Sequence, residues 1–166
     1  AAGKKETNPN GLAFIAGQLT VSASQTLQMA PLAEQSLAKL KTALSAAGLT
    51  REDVLRTTCF VTSLDDIAAV RQKVTAQFPQ AASTFVQLQR EPRRSLVEIE
   101  AVARLRSQPA QPVQRLNPEG LDRSPNYSQM VLVSKPKLAF FFDGKEHAAS
   151  FAGPDGASPD AGVLVD

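Results

Sequence analysis

The pattern of apolar and polar residues up to Arg104 predicts four strands and two helices. An apolar run at Leu12–Gly17 and a β-branched, alternating run at Asp53–Thr62 predict the first two strands. Elsewhere, apolar side chains recur every three or four residues, which is typical of helices that cover a core. These side chains are Ala33, Leu37, Leu40, Leu44 and Ala47 in the first helix and Ile67, Val70, Val74 and Phe78 in the second.

The predicted ends of both helices depend on capping and breaking residues. Pro31 suits the first turn of the first helix, and Gly48 suits its end. Ser63–Asp66 offers side-chain oxygens that could cap the second helix, and Pro79 follows its end. The segment Gln18–Ala30 is rich in Ser, Thr and Gln and has no clear period, so it is predicted to be an extended loop.

Ala82–Arg104 is predicted to form a hairpin of two strands joined by a basic turn, because both arms alternate with a period of two. In the second arm, Val97 and Ile99 alternate with Glu98 and Glu100. The two carboxylates therefore share one face of their strand, an unusual place for charges unless they face a groove or a partner subunit. The order of elements indicates an α+β fold in which two helices cover one face of a mixed sheet.

The end of the chain predicts additional strands rather than a second complete domain. The predicted units are a first domain at 1–106, a linker at 107–116 and a partial second repeat at 117–166. Within the repeat, two strands are predicted at Tyr127–Val133 and Lys137–Asp143. The strand at Leu12–Gly17 would otherwise have an unpaired apolar edge. We therefore expect the tail hairpin to dock there, in its own subunit or in a neighbour's, and to bring Tyr127 towards a cleft.

Composition limits the classes of function. A formal net charge of +2 does not indicate a surface with strong affinity for phosphate. Cys59 is the single cysteine, so an internal disulfide or a multi-cysteine metal site is excluded, and its apolar neighbours indicate a small buried side chain. The single histidine, His147, has no second His or Cys with which to share a metal, so we expect neither a metal nor another cofactor.

No apolar run approaches the length of a membrane span, and no signal peptide is recognisable. A cytoplasmic protein without a membrane partner is therefore expected. An exported mature form is the alternative, because the sequence opens at Ala1 without a methionine.

Several motifs together resemble the YjgF/RidA family, also called the endoribonuclease L-PSP family. They are Leu12–Gln18 (LAFIAGQ), Ala47-Gly48, Asp53–Leu64 (DVLRTTCFVTSL), Asp66–Val70 and Val97–Ala103 (VEIEAVA), in this order and spacing. The resemblance implies a chorismate-mutase-like α+β fold, a homotrimer, and ligand pockets in clefts between subunits. Residues 117–129 resemble the beginning of a family member, which implies either a permuted strand beside Leu12–Gly17 or a truncated tandem repeat.

The resemblance also implies where a pocket would lie. The family's pocket glutamate falls on Glu98, the candidate catalytic residue, which could orient a water molecule or take a proton. The family's substrate-binding arginine, whose guanidinium pairs with a substrate carboxylate, falls on Ser83 and is absent. Imine deamination that relies on this arginine is therefore not expected. The candidate ligand-binding residues are Ser83, Phe85, Ala16, Gly17, Arg71 and Tyr127, while Glu100 is expected to be structural.

Three hypotheses follow from these observations. The first is a trimeric protein that binds a small molecule in an intersubunit cleft and acts at most as a hydrolase through Glu98. The second is a regulatory subunit whose pocket binds a ligand without chemistry. The third is the RNA cleavage that gives the family its other name, for which a phosphate-tracking surface would be needed. The basic residues that could form such a surface are Arg90, Arg93, Arg94, Arg104 and Arg106.

Overall fold

The computed structural model describes residues 10–22, 28–88 and 95–134. Its strands are β1 (Leu12–Val21), β2 (Val54–Val61), β3 (Ala82–Gln87), β4 (Leu96–Arg104), β5 (Val113–Leu116) and β6 (Met130–Val133). Its helices are α1 (Ala30–Ala46) and α2 (Ile67–Gln77), with a 3-10 turn at Arg51–Asp53. None of the helices in the described ranges is long and apolar enough to cross a bilayer.

The strands form one mixed sheet in the order β3-β2-β4-β1-β6-β5. Neighbouring strands run antiparallel, except that β2 and β3 run parallel. Both helices contribute to a single core on one face of this sheet, which confirms the predicted α+β class. Buried side chains from α1, α2 and the covered face include Leu37, Leu40, Val70, Val74, Cys59 and Ile99. We call the other side of the sheet the open face.

The periodic signal located both helices correctly. In α1 the predicted inner positions Leu37, Leu40 and Leu44 are buried. Gly48 follows this helix with a φ of 67°, a left-handed conformation that glycine adopts without strain. The predicted side-chain cap of α2 is wrong. Asp66 stands at the N-cap position but makes no capping hydrogen bond, and the hydroxyl of Ser63 accepts one from the backbone N–H of Asp65 in the preceding turn instead.

The predicted hairpin of β3 and β4 is wrong, although both strands exist. β2 lies between them, with β3 on one side and β4 on the other. α2 connects β2 to β3, and such a crossover places the two strands side by side and parallel. Period-two alternation identifies a strand but does not identify its partner. The predicted basic turn at 89–94 lies outside the described residues.

The predicted loop after Gly17 is partly wrong, because β1 continues to Val21. A β-bulge at Ala16–Gly17 shifts the register between Ile15 and Gln18, so that Gln18 and Thr20 are buried. The hydroxyl of Ser36 on α1 donates a hydrogen bond to that of Thr20 at 3.0 Å. Polar residues thus occupy inward positions that a hydrophobic pattern cannot reveal.

The tail docks on the predicted edge, by way of a different hairpin. β6 pairs antiparallel with β1, in register from Leu12 opposite Val133 to Ile15 opposite Met130, as expected for an added strand. Its partner on the outer side is β5, which lies inside the predicted linker, so the linker prediction is wrong at Val113–Leu116. Only four residues long, β5 is too short to show a period. The predicted strand Lys137–Asp143 lies outside the described residues.

Candidate functional site

The β-bulge in β1 makes room for the side chain of Glu98, and we call the position of this side chain over β1 the seat of Glu98. Ile15 pairs with Ala101 and Gln18 pairs with Ile99, so two residues of β1, Ala16 and Gly17, stand opposite one residue of β4. A Cβ atom at Gly17 would overlap with the carboxyl group of Glu98. Glycine is therefore what allows the Glu98 side chain to lie directly over the backbone of β1.

The Glu98 carboxylate lies half-buried on the open face, between apolar side chains. Its cross-strand neighbours are Leu19 on β1 and Phe60 on β2. Within the described ranges, no hydrogen bond or ion pair reaches the carboxylate of Glu98 or of Glu100. An unpaired carboxylate on a partly apolar surface can accept a proton or orient a water molecule, which is the chemistry predicted for Glu98.

Gln129, which immediately precedes β6, holds the bulge in place. Its backbone oxygen accepts a hydrogen bond from the N–H of Ala16 at 3.0 Å. Its side-chain oxygen accepts one from Nε2 of Gln18 at 2.9 Å, and Nε2 of Gln18 also donates to the oxygen of Ala16 at 2.8 Å. Gln18 and Gln129 are both 3% exposed, so these hydrogen bonds are shielded from water. The sequence reasoning missed Gln129, for which the family-like Ser-Gln pair in the tail was the available signal.

Tyr127 lies two residues before Gln129 and is 55% exposed. The backbone of Gln129 is hydrogen-bonded to Ala16 in the bulge, and the approach of the Tyr127 side chain to a cleft stays a prediction. We refer to Glu98, Ala16, Gly17 and Tyr127, together with the glutamine pair Gln18 and Gln129, as the Glu98 half of the site.

The other predicted ligand residues lie together at the β3 edge of the sheet. The hydroxyl groups of Ser83 and Thr57 form a hydrogen bond at 2.9 Å. Phe85 follows two residues later on the same side of β3, and the guanidinium of Arg71 on α2 lies 5.2 Å from the centroid of its ring. We refer to Arg71, Ser83 and Phe85 as the Arg71 half.

The two halves lie on opposite faces of the same sheet. Phe85 pairs with Cys59 on β2, and Cys59 pairs with Ile99 on β4, all of them against the helix-covered core. Glu98 comes one residue before Ile99 on β4, and neighbouring residues of a strand point to opposite faces. One copy of the chain therefore does not bring the predicted site residues into a single pocket.

Two arginines of the predicted basic cluster form ion pairs with a buried carboxylate. Nε of Arg106 donates to Oδ2 of Asp53 at 2.7 Å, and Nε of Arg104 lies 3.6 Å from Oδ1 of the same carboxylate. Asp53 is 2% exposed and also accepts a hydrogen bond from the backbone N–H of Thr50. These two arginines stabilise the start of β2. The other predicted members, at 90, 93 and 94, lie outside the described residues.

Neither Cys59 nor a metal-binding cluster provides a second candidate site in the described part of the chain. Burial raises the pKa of the Cys59 thiol to about 12, so it stays protonated and unreactive at neutral pH. No cluster of metal-binding side chains occurs in the part of the chain that the structure describes, and His147 lies outside that part.

Known proteins resemble part of this chain. A family model described as endoribonuclease L-PSP matches residues 4–105. The 2-iminobutanoate/2-iminopropanoate deaminase of Escherichia coli K12 is 39% identical over 80 residues, which are 45% of this chain and 62% of that protein. A RutC family protein of Synechocystis is 35% identical over 102 residues, which are 57% of this chain and 78% of that protein.

A solved structure from Yersinia pestis, described as a member of the conserved Rid protein family, has a TM-score of 0.50 and 32% identity. The similarity covers 60% of this chain and 83% of that one. The chain spans less than two thirds of the length of the E. coli deaminase.

Proposed function

Because the chain belongs to the endoribonuclease L-PSP family, also called YjgF/RidA, we propose that it hydrolyses the C=N bond of a small imine in a cleft between two copies of itself. The observation that carries this proposal is the seat of Glu98. The bulge and Gly17 place its carboxylate over the β1 backbone, with no partner for it in the described ranges. A carboxylate held in this way can position water against a bound substrate.

The division of the candidate residues between two faces supports a cleft between subunits. When a second copy packs on the open face, its β3 edge can meet the Glu98 half of the first copy. The open face also exposes apolar side chains that a second copy could bury: Phe14 and Val21 have 44% and 42% of their surface accessible to solvent. Two buried polar atoms on this face, Nε of Arg56 and Oγ1 of Thr84, lack a partner in the described residues, and a second copy could supply one. The family resemblance makes a homotrimer the expected assembly.

In the proposed reaction, water adds to the imine carbon of the substrate. As the new C–O bond forms, Glu98 accepts a proton from the water and passes it to the imine nitrogen. The C–N bond of the resulting carbinolamine then breaks. The proton of the hydroxyl group passes to the amino group, so that ammonia leaves and a carbonyl compound remains.

The test is hydrolysis of 2-iminobutanoate, the compound in the name of the E. coli relative. The imine is generated in situ by an amino-acid oxidase, and ammonia release is compared with the spontaneous rate. We expect the wild-type chain to accelerate release and Glu98→Gln to reduce this acceleration about 100-fold or more, as for loss of a general base. Glu100→Gln, the matched change two residues along the same strand face, should retain most activity. Equal rates for wild type and Glu98→Gln would contradict the proposal.

A further inference from the structure

We propose that Arg71 supplies the carboxylate anchor that is missing at Ser83, so that the ligand of this site is a small 2-oxo or 2-imino carboxylate. This inference rests on the proposed function and names the substrate class of that site. It concerns an arginine on α2, outside the strand from which the family's arginine comes.

The first argument is that Ser83 cannot take over the role of an arginine. Its hydroxyl is already paired with that of Thr57 at 2.9 Å, on the helix-covered side of β3. A hydroxyl also has one donor and no charge, whereas a carboxylate is bound best by the planar, two-pronged guanidinium. A carboxylate ligand at this edge therefore needs a cation from another element.

The second argument is the position of Arg71. Its guanidinium lies 5.2 Å from the ring centroid of Phe85, which faces the same side of β3 as Ser83. Position 83 lies two residues before Phe85, about 6.7 Å along the strand and on the same face. A side chain at 83 and Arg71 would therefore reach into the same region of the edge.

The third argument is that the guanidinium of Arg71 keeps its hydrogen-bonding capacity. No ion pair or side-chain hydrogen bond of Arg71 occurs within the described ranges, although its backbone oxygen accepts from Thr75. A cation–π contact with Phe85 occupies none of the N–H groups in a hydrogen bond, so these donors remain available. The contact with the ring holds the guanidinium beside the β3 edge.

The fourth argument is that the edge is open on the side where a ligand would enter. β3 pairs with β2 on one side, and in the described part of the chain no strand pairs with its other side. Arg71 itself is exposed, whereas Val70 and Val74 on the same helix are buried. An exposed arginine oriented by an aromatic ring beside an open edge is suited to bind an anion between two copies.

The test compares binding of two probes by ligand-detected NMR. 2-Oxobutanoate carries a carboxylate, and butan-2-one has the same ketone without it. We expect Arg71→Met to weaken 2-oxobutanoate binding about 10- to 100-fold, as for loss of a charge-assisted pair, and to leave butan-2-one binding unchanged. Arg71→Lys should restore only part of the affinity, because an ammonium does not form the planar pair. Arg115→Met is the matched control, since it removes the same charge from an exposed position on β5.

A rescue variant separates an anchor from a merely structural role. In Arg71→Met/Ser83→Arg the guanidinium returns to the strand, and we expect affinity for 2-oxobutanoate to recover at least tenfold over Arg71→Met alone. The inference is wrong if Arg71→Met binds 2-oxobutanoate like Arg115→Met, or if the wild-type chain does not distinguish the two probes. If binding depends on Arg71 but no variant hydrolyses the imine, the anchor is correct and the proposed hydrolysis is wrong.

Discussion

The two halves of the candidate site are built in different ways. The Glu98 half lies in the middle of the sheet, where a bulge, a glycine and a buried glutamine pair set the position of one carboxylate. The Arg71 half lies at an edge, where one hydroxyl pair and one cation–π contact join α2, β2 and β3. Backbone geometry, supported by the glutamine pair, therefore determines the first half, while side-chain contacts determine the second. A guanidinium at an edge can come from a different element without disturbing the sheet, whereas the seat of Glu98 cannot be moved in this way.

Removal of the tail should have the largest effect, and it should act first on the Glu98 half. Cutting the chain after Arg106 removes β5 and β6 and exposes the edge of β1. It also removes Met130, Leu132 and Leu121, which are buried. The loss of large buried side chains costs about 2–5 kcal/mol each, comparable with the whole stability of a domain. We therefore expect aggregation or loss of the oligomer, measured by light scattering and thermal unfolding.

A chain ending at Ser134 keeps both strands and is the control for this truncation. Should the chain cut at Arg106 remain a soluble oligomer with unchanged thermal stability, the tail would be an appendage and its assigned role in the Glu98 half would be incorrect.

Gln129→Leu should weaken the same half without removing a strand. The variant loses the acceptor for Nε2 of Gln18 and the donor to the backbone oxygen of Asp122. Loss of buried hydrogen bonds of this kind costs about 1–3 kcal/mol. We expect a lower free energy of unfolding in urea, together with reduced imine hydrolysis. Gln114→Leu on β5 makes the same change at a position outside the glutamine pair, and equal losses in both variants would exclude a specific role for Gln129.

Gly17→Ala should separate activity from stability. The added methyl group overlaps with the Glu98 side chain, which must leave its seat. We expect a loss of hydrolysis similar to that of Glu98→Gln, with a stability loss of about 1–3 kcal/mol from overpacking. In a double-mutant cycle with Glu98→Ala this stability loss should shrink, because the overlapping group has gone. An unchanged loss in the Glu98→Ala background would show that Gly17 serves the backbone and not Glu98.

Ser83→Ala should have a smaller effect, confined to the Arg71 half. It leaves the buried hydroxyl of Thr57 without this partner, which costs about 1 kcal/mol. The double variant Thr57→Val/Ser83→Ala should be more stable than Ser83→Ala, because it removes both polar groups. Chemical unfolding of the three proteins measures this order. A double variant less stable than the single one would mean that Thr57 contributes more than this hydroxyl pair.

Substitution of Cys59 should have the smallest effect on stability. It tests the burial of the core beneath Phe85. The pKa of the Cys59 thiol rises from 9.0 to about 12 because burial disfavours the thiolate. The unfolded chain loses the proton first, so this thiol lowers stability as the pH rises between 9 and 12 and has no effect below that range. We expect the difference in unfolding free energy between wild type and Cys59→Ala to change with pH only above 9. A difference that stays constant from pH 7 to 11 would contradict this assignment.

The sequence predicted the parts of the fold that have a strong period. The stripes of α1 and α2, and the alternation of Val97 and Ile99 with Glu98, each identified an element and its inner face. It did not predict which strands pair, because the crossover through α2 separates β3 from β4 by a whole strand. β5 and the inward-facing polar residues of β1 had no hydrophobic signal to reveal them.

The site could be predicted in part for a similar reason. Glu98 and Gly17 belong to motifs in the sequence, and the structure places them in contact. Gln129 is 111 residues from its partner Gln18, so only the docking of the tail relates them. The stacking of Arg71 on Phe85 likewise joins a helix to a strand that follows it, and no spacing rule encodes that contact. The sequence pattern does not contain information about side-chain contacts between residues that are far apart in the chain.

Subunit complementation tests the central claim, that two copies combine opposite halves, most directly. Glu98→Gln and Arg71→Met are each expected to be inactive in imine hydrolysis, one lacking the base and the other the anchor. After joint unfolding and refolding in equal amounts, a cleft that takes each half from a different subunit is intact in about one quarter of cases for a closed ring. The account predicts recovery of about that fraction of wild-type activity. If the refolded mixture stays as inactive as its components although mixed oligomers form, the halves do not meet between subunits and the account is contradicted.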